Sequence, residues 1–281
     1  MISVIFLNFN RCVDLKRSLS KIFNQTGVDF EVIVVDQNSN DGSQKMIKEL
    51  FPKVILHEIG ENLGVAGGRN YGATIAKGEY LVFIDDDAEF VSINALKKVE
   101  LVFDNNPMFN IIGFNVNGHP ERPEKHLFFS HKKDRFTNGY IGCGHAIRKD
   151  VFENLGGYSG NLFFWGEEIE FAIKTFSIPG NKIIFKGDIV LFHRVSPTQR
   201  LKWSDGRFYY KVRNRLALTK DLLPFPISFL LILYYLSIYF IRALQVKCIK
   251  PYFRAAKDFL MFKTNGERLN LNQALLYLTN R

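Results

Sequence analysis

The 281-residue chain has the composition of a folded protein, since 47% of its residues are hydrophobic and 14% are aromatic, more than disordered chains carry. Its three cysteines (Cys12, Cys143, Cys248) are far apart and odd in number. This excludes a disulfide framework or paired-cysteine zinc module and is typical of a reducing cytosol. Met1 leads directly into a strand-like apolar run without a basic segment, so we expect no signal peptide.

The formal net charge of +9 is distributed unevenly along the chain. Residues 1–200 contain 23 basic and 24 acidic residues, whereas residues 201–281 contain 14 basic and four acidic residues. A basic tail can bind nucleic acid or an anionic membrane. The uncharged stretch at residues 222–241 is rich in Leu, Ile, Phe and Tyr. We therefore expect a membrane surface as the partner and no nucleic acid.

Residues 1–90 alternate between short apolar runs and segments with helical periodicity. Strands are predicted at residues 3–7, 31–35, 54–58 and 80–84, and helices at residues 14–23, 43–51 and 67–77. This alternation predicts a parallel sheet covered by helices. Ligands of such sheets gather at the carboxyl ends of the strands. The polar residues that follow strands one, two and four should therefore converge on one crevice; they are Asn8, Asn10, Asp36, Asn38 and Asp85 to Asp87.

The second half of the chain is less regular. We predict a helix at residues 92–103, a strand at 110–115, a mobile loop or loose hairpin at 118–138, a short helix near 150–155 and a helix that opens at 165–168. The charge and hydropathy patterns divide the chain into a catalytic unit, residues 1–205, and a basic, apolar helical extension, residues 206–281.

Three successive aspartates, Asp85, Asp86 and Asp87, follow the apolar run at residues 80–84. Such carboxylates repel one another unless a divalent cation or well-placed donors offset their charge. Mg²⁺ and Mn²⁺ prefer hard oxygen ligands and commonly bind one or two carboxylates together with diphosphate oxygens. The cluster therefore indicates either a metal site or an ordinary solvated acidic turn.

Asp36 ends the second apolar strand, where an acidic side chain can accept hydrogen bonds from ribose hydroxyls. The segment after it, residues 40–43, is typical of a turn and helix cap. The glycines of residues 64–72 match neither a dinucleotide fingerprint nor a P-loop. They allow either close backbone approach at a helix N-terminus, where Arg69 adds a permanent cation, or tight helix–sheet packing.

A second acidic pair, Glu167 and Glu168, follows Trp165. The helix dipole favours acids in a first helical turn, which is sufficient to explain either one. An aromatic ring beside them indicates sugar stacking, next to a carboxylate that can accept a proton from an attacking hydroxyl. His193 follows an apolar segment, where a lone histidine is more often structural than a metal ligand.

Taken in order, these residues resemble an inverting glycosyltransferase of the large family-two class, with the GT-A fold. The resemblance extends over about residues 1–220, and it rests on the ordered set of motifs. The matching positions are residues 4–10, Asp36 with residues 38–43, Asn62, Gly64, Arg69, Asn70, Asp85 to Asp87, Gly142, Gly144, residues 165–168 and His193. The resemblance implies an α/β fold, a Rossmann-like and mostly parallel sheet flanked by helices, with a C-terminal helical membrane-associated extension.

The resemblance also implies a role for each matching position. Asp36 holds the nucleoside of the donor, and Arg69 lies near the nucleotide. The implied nucleotide-sugar-binding residues are Asn8, Phe9, Asn10, Asp36, Asn38, Arg69, Asp85, Asp86 and Gly144. The implied ligands of Mn²⁺ or Mg²⁺ are Asp87, Asp85 and His193, and Trp165 faces the acceptor.

The catalytic base implied by the resemblance is Glu168. The family usually has aspartate as the second acid of this pair, and the glutamate here displaces the carboxylate by about 1.3–1.5 Å, the length of one extra carbon–carbon bond. The base is therefore Glu168 with a shifted helix or, alternatively, Glu167.

The apolar tail follows residues 209–215, a segment similar to rhamnosyltransferase-like members of this class. Residues 222–241 could nominally span about 30 Å of hydrocarbon, but Pro224 and Pro226 restrict the regular helix to residues 227–241, about 22 Å. A single crossing would place the following cations opposite the cytosolic donor, against the positive-inside tendency. We expect a helix in the cytoplasmic leaflet of the cell membrane, flanked by cations that contact anionic lipid. Packing on the catalytic unit or on a second copy of the chain is the alternative.

The sequence thus predicts a metal-dependent inverting glycosyltransferase. It would move a sugar from a nucleoside-diphosphate sugar to a hydroxyl of a lipid-linked or polysaccharide acceptor. A nucleotidyltransferase on a similar sheet and a catalytically inactive sugar-nucleotide-binding scaffold are the competing hypotheses.

Overall fold

The computed structural model describes residues 1–118, 133–194 and 206–280. The strands in these ranges are β1 (Ile2–Asn8), β2 (Phe30–Asp36), β3 (Ile55–Glu58), β4 (Tyr80–Ile84), β5 (Ala88–Phe90), β6 (Phe109–Gly118), β7 (Arg135–Thr137), β8 (Gly144–Arg148) and β9 (Lys182–His193). The helices are α1 (Cys12–Ile22), α2 (Ser43–Leu50), α3 (Gly64–Ile75), α4 (Ala95–Asn105), α5 (Lys149–Asn154), α6 (Glu167–Thr175), α7 (Phe208–Leu222), α8 (Ile227–Gln245), α9 (Ile249–Asp258) and α10 (Leu271–Thr279).

The strands form one sheet in the order β3-β2-β1-β4-β8-β6-β9-β5, and β7 pairs with β9. Strands β3, β2, β1 and β4 are parallel. Most side chains of β1, β2 and β4 are buried on both faces of the sheet, whereas those of the edge strand β3 are partly or fully exposed. In β1, Val4 and Phe6 belong to the hydrophobic core on one face, while Ile5 belongs to the core on the other. A continuous apolar strand is the expected pattern for such a position.

The other half of the sheet is mixed. Strand β8 runs antiparallel to both β4 and β6, β6 and β9 are parallel, and β5 and β7 run antiparallel to β9. The predicted α/β fold with helices on both faces is confirmed, and the sheet is mixed: among the described strands, three of the four parallel pairings lie in the N-terminal half and the fourth joins β6 to β9. The loop predicted at residues 118–138 lies mostly outside the described residues, and its last part contains β7.

The carboxyl ends of the parallel strands meet at one edge of the sheet. Asn8, the last residue of β1, pairs in register with Asp36, the last residue of β2, and β4 ends directly before Asp85. The antiparallel pairing of β5 with the end of β9 places His193 opposite Ala88. This edge of the sheet therefore collects the polar residues that the sequence predicted to converge.

The C-terminal helices pack against the part of the molecule that contains the sheet. Leu218 and Leu222 of α7 lie in the same core as Phe171 of α6, and α7 also forms a separate core with α8 and α9. The predicted boundary between residues 205 and 206 falls at the edge of the undescribed segment 195–205 and stays a prediction.

Helix α8 begins at Ile227, as predicted, and ends at Gln245, four residues later than predicted. It has a mean hydropathy of 1.9 over its most apolar 18-residue window, and its buried residues are Tyr239 and Ala243. In the described part of the chain, it is the one helix that is long and apolar enough to cross a membrane.

Candidate active site

Arg69 joins the two acidic groups of the site. It projects from α3, is 3% exposed, and donates to the Asp85 carboxylate at 2.9 Å and to the Glu167 carboxylate at 2.9 Å. The Gly142 carbonyl accepts a further hydrogen bond of 2.7 Å from it. Because one guanidinium contacts both carboxylates, the aspartates after β4 and the glutamates of α6 share a single pocket.

The other two aspartates pair with a second arginine. Arg11, at the start of α1, lies 3.3 Å from the carboxylate of Asp86 and 2.8 Å from that of Asp87. Burial raises the pKa of Asp86 well above its ordinary value, and Arg11 opposes this effect. Asp87 also lies 2.9 Å from Nε2 of His193. Each of the three aspartates therefore has a cationic partner, which offsets the repulsion expected from their sequence.

A possible metal site is formed by Asp85, Cys143 and His193, which offer ligand atoms within 4.8 Å of one another. Their chemistry suits a divalent cation, since they provide a carboxylate oxygen, a thiol and an imidazole. Burial lowers the pKa of His193, but Cys143 and the hydrogen bond to Asp87 outweigh it and raise the pKa well above its usual value. Binding of a metal would therefore release a proton from this site.

Asp87 is not one of these three candidate ligands, but it contacts one of them. Its hydrogen bond to one ring nitrogen of His193 orients the imidazole, as carboxylates commonly do for metal-binding histidines. Of the predicted ligands, Asp85 and His193 thus lie together with Cys143, an additional candidate, whereas Asp87 contacts His193 and its role as a ligand stays a prediction.

A buried polar network organises the ends of β1 and β2. Asn8 donates to Asp36 at 2.6 Å and to Ser39 at 2.9 Å, and Gln44 of α2 donates to the other oxygen of Asp36 at 2.8 Å. The buried Oδ1 of Asn8 has no hydrogen-bond partner in the described part of the chain. Asn8 and Asp36 are both fully buried, so this network supports the surrounding loops from within.

The loops beside this network present the other predicted donor-binding residues. Asn10 and Asn38 adopt left-handed backbone conformations, with φ of 56° and 70°, and Phe9 is 44% exposed. The aromatic ring is accessible to a base at this edge of the sheet. Gly144 lies in β8, where an added Cβ would approach Leu191 to 2.6 Å, so packing explains this glycine.

The two glutamates of α6 occupy different environments. Glu167 is 5% exposed and bound to Arg69, and burial together with the charge of Glu168 raises its pKa above the ordinary value despite Arg69. Glu168 is only partly buried, and its carboxylate accepts from the Gly166 backbone at 3.3 Å. The Glu168 carboxylate is therefore the more accessible of the two.

Trp165 lies on a constrained loop that leads into α6. Trp165 and Gly166 both have positive φ, 68° and 102°, and Asn214 of α7 donates to the carbonyls of Phe164 and Trp165. The indole ring faces α7, with Nζ of Lys211 at 5.7 Å and Cζ of Arg215 at 5.2 Å from its centre.

The family of this chain follows from its sequence. Residues 3–156, more than half of the chain, match the family model described as "Glycosyl transferase family 2". The chain belongs to glycosyl transferase family 2. The match covers Asp36, Arg69, the three aspartates and Cys143, and it ends before the glutamates of α6.

Two relatives illustrate the range of the similarity. An uncharacterized glycosyltransferase of Haemophilus influenzae is 30% identical over 191 residues, which are 64% of this chain and 63% of the relative. A GalNAc(5)-diNAcBac-PP-undecaprenol β-1,3-glucosyltransferase of Campylobacter jejuni is 37% identical over 95 residues, 32% of this chain and 31% of that protein. The chain thus spans less than two thirds of the length of either.

The fold agrees with that of a solved glycosyltransferase structure. A mannosyltransferase from Pyrobaculum calidifontis, determined in complex with GDP-Man and Mn²⁺, superposes with a TM-score of 0.63 at 20% identity. The superposition covers 99% of this chain and 78% of the other. At this identity the comparison supports the GT-A fold alone, including its C-terminal helices.

Two residues of this family 2 site were not recognised from the sequence. Arg11 is separated from Asp87 by 76 positions, and nothing in its surroundings distinguishes it from other basic residues. Cys143 lies between Gly142 and Gly144, two positions that match the family. This location is the one signal in the sequence that points to its role.

Proposed function

We propose that the protein transfers a sugar from a nucleoside-diphosphate sugar to an acceptor hydroxyl, with inversion at the anomeric carbon. The observation that carries this proposal is the Arg69 bridge between Asp85 and Glu167. It supports a single pocket in which a donor diphosphate lies beside a carboxylate base. Membership of family 2 supports the same reaction class.

The donor end of the proposed site is formed by β1, β2 and their loops. Asp36 is fully buried and accepts from Asn8, Ser39 and Gln44, and in this proposal it fixes the loops that contact the ribose. In this proposal Phe9 and Asn10 lie beside the base of the nucleotide. Asn38 belongs to the loop that follows β2. Of the glycines Gly142 and Gly144, we place Gly142 in the pocket, because its carbonyl accepts a hydrogen bond from Arg69. Packing against Leu191 explains Gly144.

A divalent cation belongs to the proposed donor site. Asp85, Cys143 and His193 would hold it, and Asp87 would orient His193. When bound, such an ion neutralises charge on the diphosphate leaving group. Arg69 contributes a permanent positive charge at the same pocket. Mn²⁺ and Mg²⁺ remain the candidates, and a thiol ligand adds affinity for softer ions.

Glu168 is the proposed base. Its partial exposure lets its carboxylate reach an acceptor hydroxyl, whereas Glu167 is held by Arg69. Glu168 takes the proton as the hydroxyl oxygen attacks the anomeric carbon and the bond to the diphosphate breaks. Trp165, at the entrance to α6, offers its ring to the acceptor sugar.

The proposed location is the cytoplasmic face of the cell membrane. The outward face of α8 exposes large apolar side chains, among them Phe229 at 52%, Leu230 at 62% and Leu233 at 48%. Exposed cations lie in its last turn and after it along the chain; they are Arg242, Lys247, Lys250, Arg254 and Lys257. This combination supports a helix in the plane of an anionic leaflet, where lipid-linked acceptors are found.

A panel of nucleotide sugars tests the donor assignment. The purified protein is heated with UDP-, dTDP- and GDP-sugars in the presence and absence of Mn²⁺, and its melting temperature is recorded. A true donor raises the melting temperature by mass action, and turnover releases a nucleoside diphosphate. Release of pyrophosphate from a nucleoside triphosphate would instead identify a nucleotidyltransferase, and donor binding without turnover on any acceptor would identify an inactive scaffold.

A further inference from the structure

The loop that leads into α6, residues 162–166, has a backbone conformation that residues with a Cβ rarely adopt. Phe163 has φ of 60° and ψ of −60°, and Trp165 has φ of 68°. Gly166, with φ of 102°, completes the entry into the helix. Such conformations cost free energy and persist where surrounding contacts hold them. This segment, the Trp165 loop, therefore depends on groups outside it.

The backbone carbonyls of residues 162–165 all accept hydrogen bonds from outside the Trp165 loop. The side-chain amide nitrogen of Asn214, in α7, donates to three of them. Its distances are 3.1 Å to the carbonyl oxygen of Leu162, 3.0 Å to that of Phe164 and 2.6 Å to that of Trp165. The fourth carbonyl, that of Phe163, accepts from the Val65 backbone of α3 at 2.7 Å. One fully buried side chain thus holds three of the four carbonyls.

Arg213 fixes the orientation of the Asn214 amide. Its Nε donates to Oδ1 of Asn214 at 2.8 Å, and a terminal nitrogen donates to the carbonyls of Asn161 and Leu162 at 3.3 and 3.2 Å. Because Oδ1 accepts from Arg213, the two N–H groups of the amide face the carbonyls of the loop. Loss of these donors would leave buried carbonyls without their partner, which costs more free energy than the hydrogen bonds contribute.

A single peptide unit links Asn214 to the proposed base. The Trp165 carbonyl and the Gly166 N–H belong to the same planar peptide group, and in its trans form they point in opposite directions. The carbonyl accepts from Asn214 at 2.6 Å, and the N–H donates to the Glu168 carboxylate at 3.3 Å. Because rotation of the peptide moves both ends together, the Asn214 amide constrains the group that holds Glu168.

We propose that Asn214 is a positioning residue for glycosyl transfer, which sets the direction of the Glu168 carboxylate through the peptide between Trp165 and Gly166. This inference rests on the proposed role of Glu168 as the base, and it deepens that proposal by naming what holds the base. A proton acceptor is effective only when it is correctly placed against the attacking hydroxyl. The C-terminal extension then contributes a residue to the active site in addition to its membrane contacts.

The test uses donor hydrolysis, in which a water oxygen attacks the anomeric carbon, the bond to the diphosphate breaks and Glu168 takes the proton of the water. The donor is the nucleotide sugar that raises the melting temperature most with Mn²⁺. Asn214→Asp is nearly isosteric, keeps an oxygen that accepts from Arg213 and removes the N–H donors. We expect kcat for nucleoside diphosphate release to fall by about 10²-fold, the effect of a displacement of about 1 Å. Donor affinity, measured by calorimetry, should stay unchanged.

A second measurement follows the Trp165 loop without donor or metal. The chain has two tryptophans, so Trp203→Phe leaves Trp165 as the only indole reporter. Trp165 is partly buried and lies against Arg215 of α7. We expect Asn214→Asp in this background to increase the quenching of Trp165 fluorescence by acrylamide, because the loop loses three of its hydrogen bonds.

Thr219→Val is the matched control. Thr219 is a buried polar residue of the same helix, and its hydroxyl donates to the Arg215 carbonyl within α7 at 2.7 Å. The change removes a buried hydrogen bond from α7 but no hydrogen bond to the Trp165 loop, so kcat and quenching should stay normal. Arg213→Lys keeps the charge but loses the planar fork of donors. It provides a second variant if Asn214→Asp fails to fold, and it should lower kcat at unchanged donor affinity.

Three results would overturn the proposal. A normal kcat of folded Asn214→Asp would show that the base does not depend on Asn214. Equal losses of kcat in Asn214→Asp and Thr219→Val would show a general effect of altering α7. Unchanged quenching would show that Asn214 does not hold the loop. Failure of the proposed function is distinguishable, because the unaltered protein would then release no nucleoside diphosphate, whereas the quenching comparison needs no turnover.

Discussion

Arg69 and Arg11 explain how this site tolerates four closely spaced carboxylates. Arg69 contacts Asp85 and Glu167, and Arg11 contacts Asp86 and Asp87. Buried carboxylates without such partners would be protonated or would destabilise the fold. The arginines thus offset much of the cost of placing these carboxylates close together.

The metal-binding role of Cys143 can be tested directly. If its thiol joins Asp85 and His193, Co²⁺ added to the protein gives the near-ultraviolet charge-transfer absorption of a sulfur–cobalt bond. We expect Cys143→Ser to abolish this absorption and to weaken Co²⁺ binding by at least about tenfold. Spectrophotometric titration measures both.

Cys248→Ser is the matched control, because Cys248 is equally buried but lies in the separate core formed by α7, α8 and α9. It should retain the absorption. A Cys143→Ser protein with an unchanged spectrum would show that the thiol is not a ligand.

The positions of the site carboxylates could be predicted because they follow strong local signals. Asp36 and Asp85 come directly after apolar strands that are buried on both faces, and parallel strands end at a common edge. Arg11 and Cys143 could not be predicted in the same way. Their roles depend on which distant residues approach them in the fold. The residues next to them in the sequence do not indicate those contacts.

At the scale of elements, α3 and the loop before α6 are joined at one tight contact. Gly64 begins α3 with φ of 72°, and the Val65 backbone donates to the Phe163 carbonyl at 2.7 Å. A Cβ on Gly64 would approach that carbonyl oxygen to 2.2 Å. The absence of a side chain therefore allows α3, which carries Arg69, to lie against the loop that carries Trp165.

Gly64→Ala should accordingly be more destabilising than a glycine substitution that only strains the backbone. The strain of a positive φ costs about 1–2 kcal/mol, and displacement of packed backbone adds about 1–3 kcal/mol. Gly42→Ala is the control, since Gly42 has φ of 85° and no atom within 4 Å of the added Cβ. Denaturant unfolding compares the two, and equal losses of unfolding free energy would show that the contact is unimportant.

The elements themselves were predicted with uneven success for physical reasons. Strands β1, β2 and β4 have continuous apolar runs that identify them. Strands β5 and β7 were missed because they are three residues long, too short to show any periodicity. The antiparallel insertion of β8 between β4 and β6 is a long-range pairing that local pattern does not encode.

At the scale of the molecule, the catalytic edge of the sheet and the apolar face of α8 are connected by α7. Asn214 holds the loop of Trp165, and Leu216 belongs to the core shared with α8 and α9. A membrane that binds α8 would therefore hold the acceptor side of the site at a fixed distance from the lipid surface.

This arrangement predicts membrane binding that depends on the exposed face of α8. Phe229→Ser combined with Leu233→Ser should weaken flotation with phosphatidylglycerol vesicles by at least about tenfold, because each large apolar side chain contributes about 1.5–3 kcal/mol on burial. Leu101→Ser, on the exposed face of α4, should have no effect. If the double variant floats normally but loses self-association in light scattering, the face binds a second copy instead.

The central claim is that the glutamates of α6 and the aspartates after β4 form one active site with Glu168 as its base. Glu168→Gln removes the base while leaving Arg69 and its partners in place. Nucleoside diphosphate release in the presence of donor and acceptor should fall by about 10²–10⁴-fold, while donor affinity, measured by calorimetry with Mn²⁺, stays near that of the unaltered protein. The exposed Glu49→Gln change on α2 should leave both quantities unchanged. Turnover of Glu168→Gln at the rate of the unaltered protein would contradict the claim.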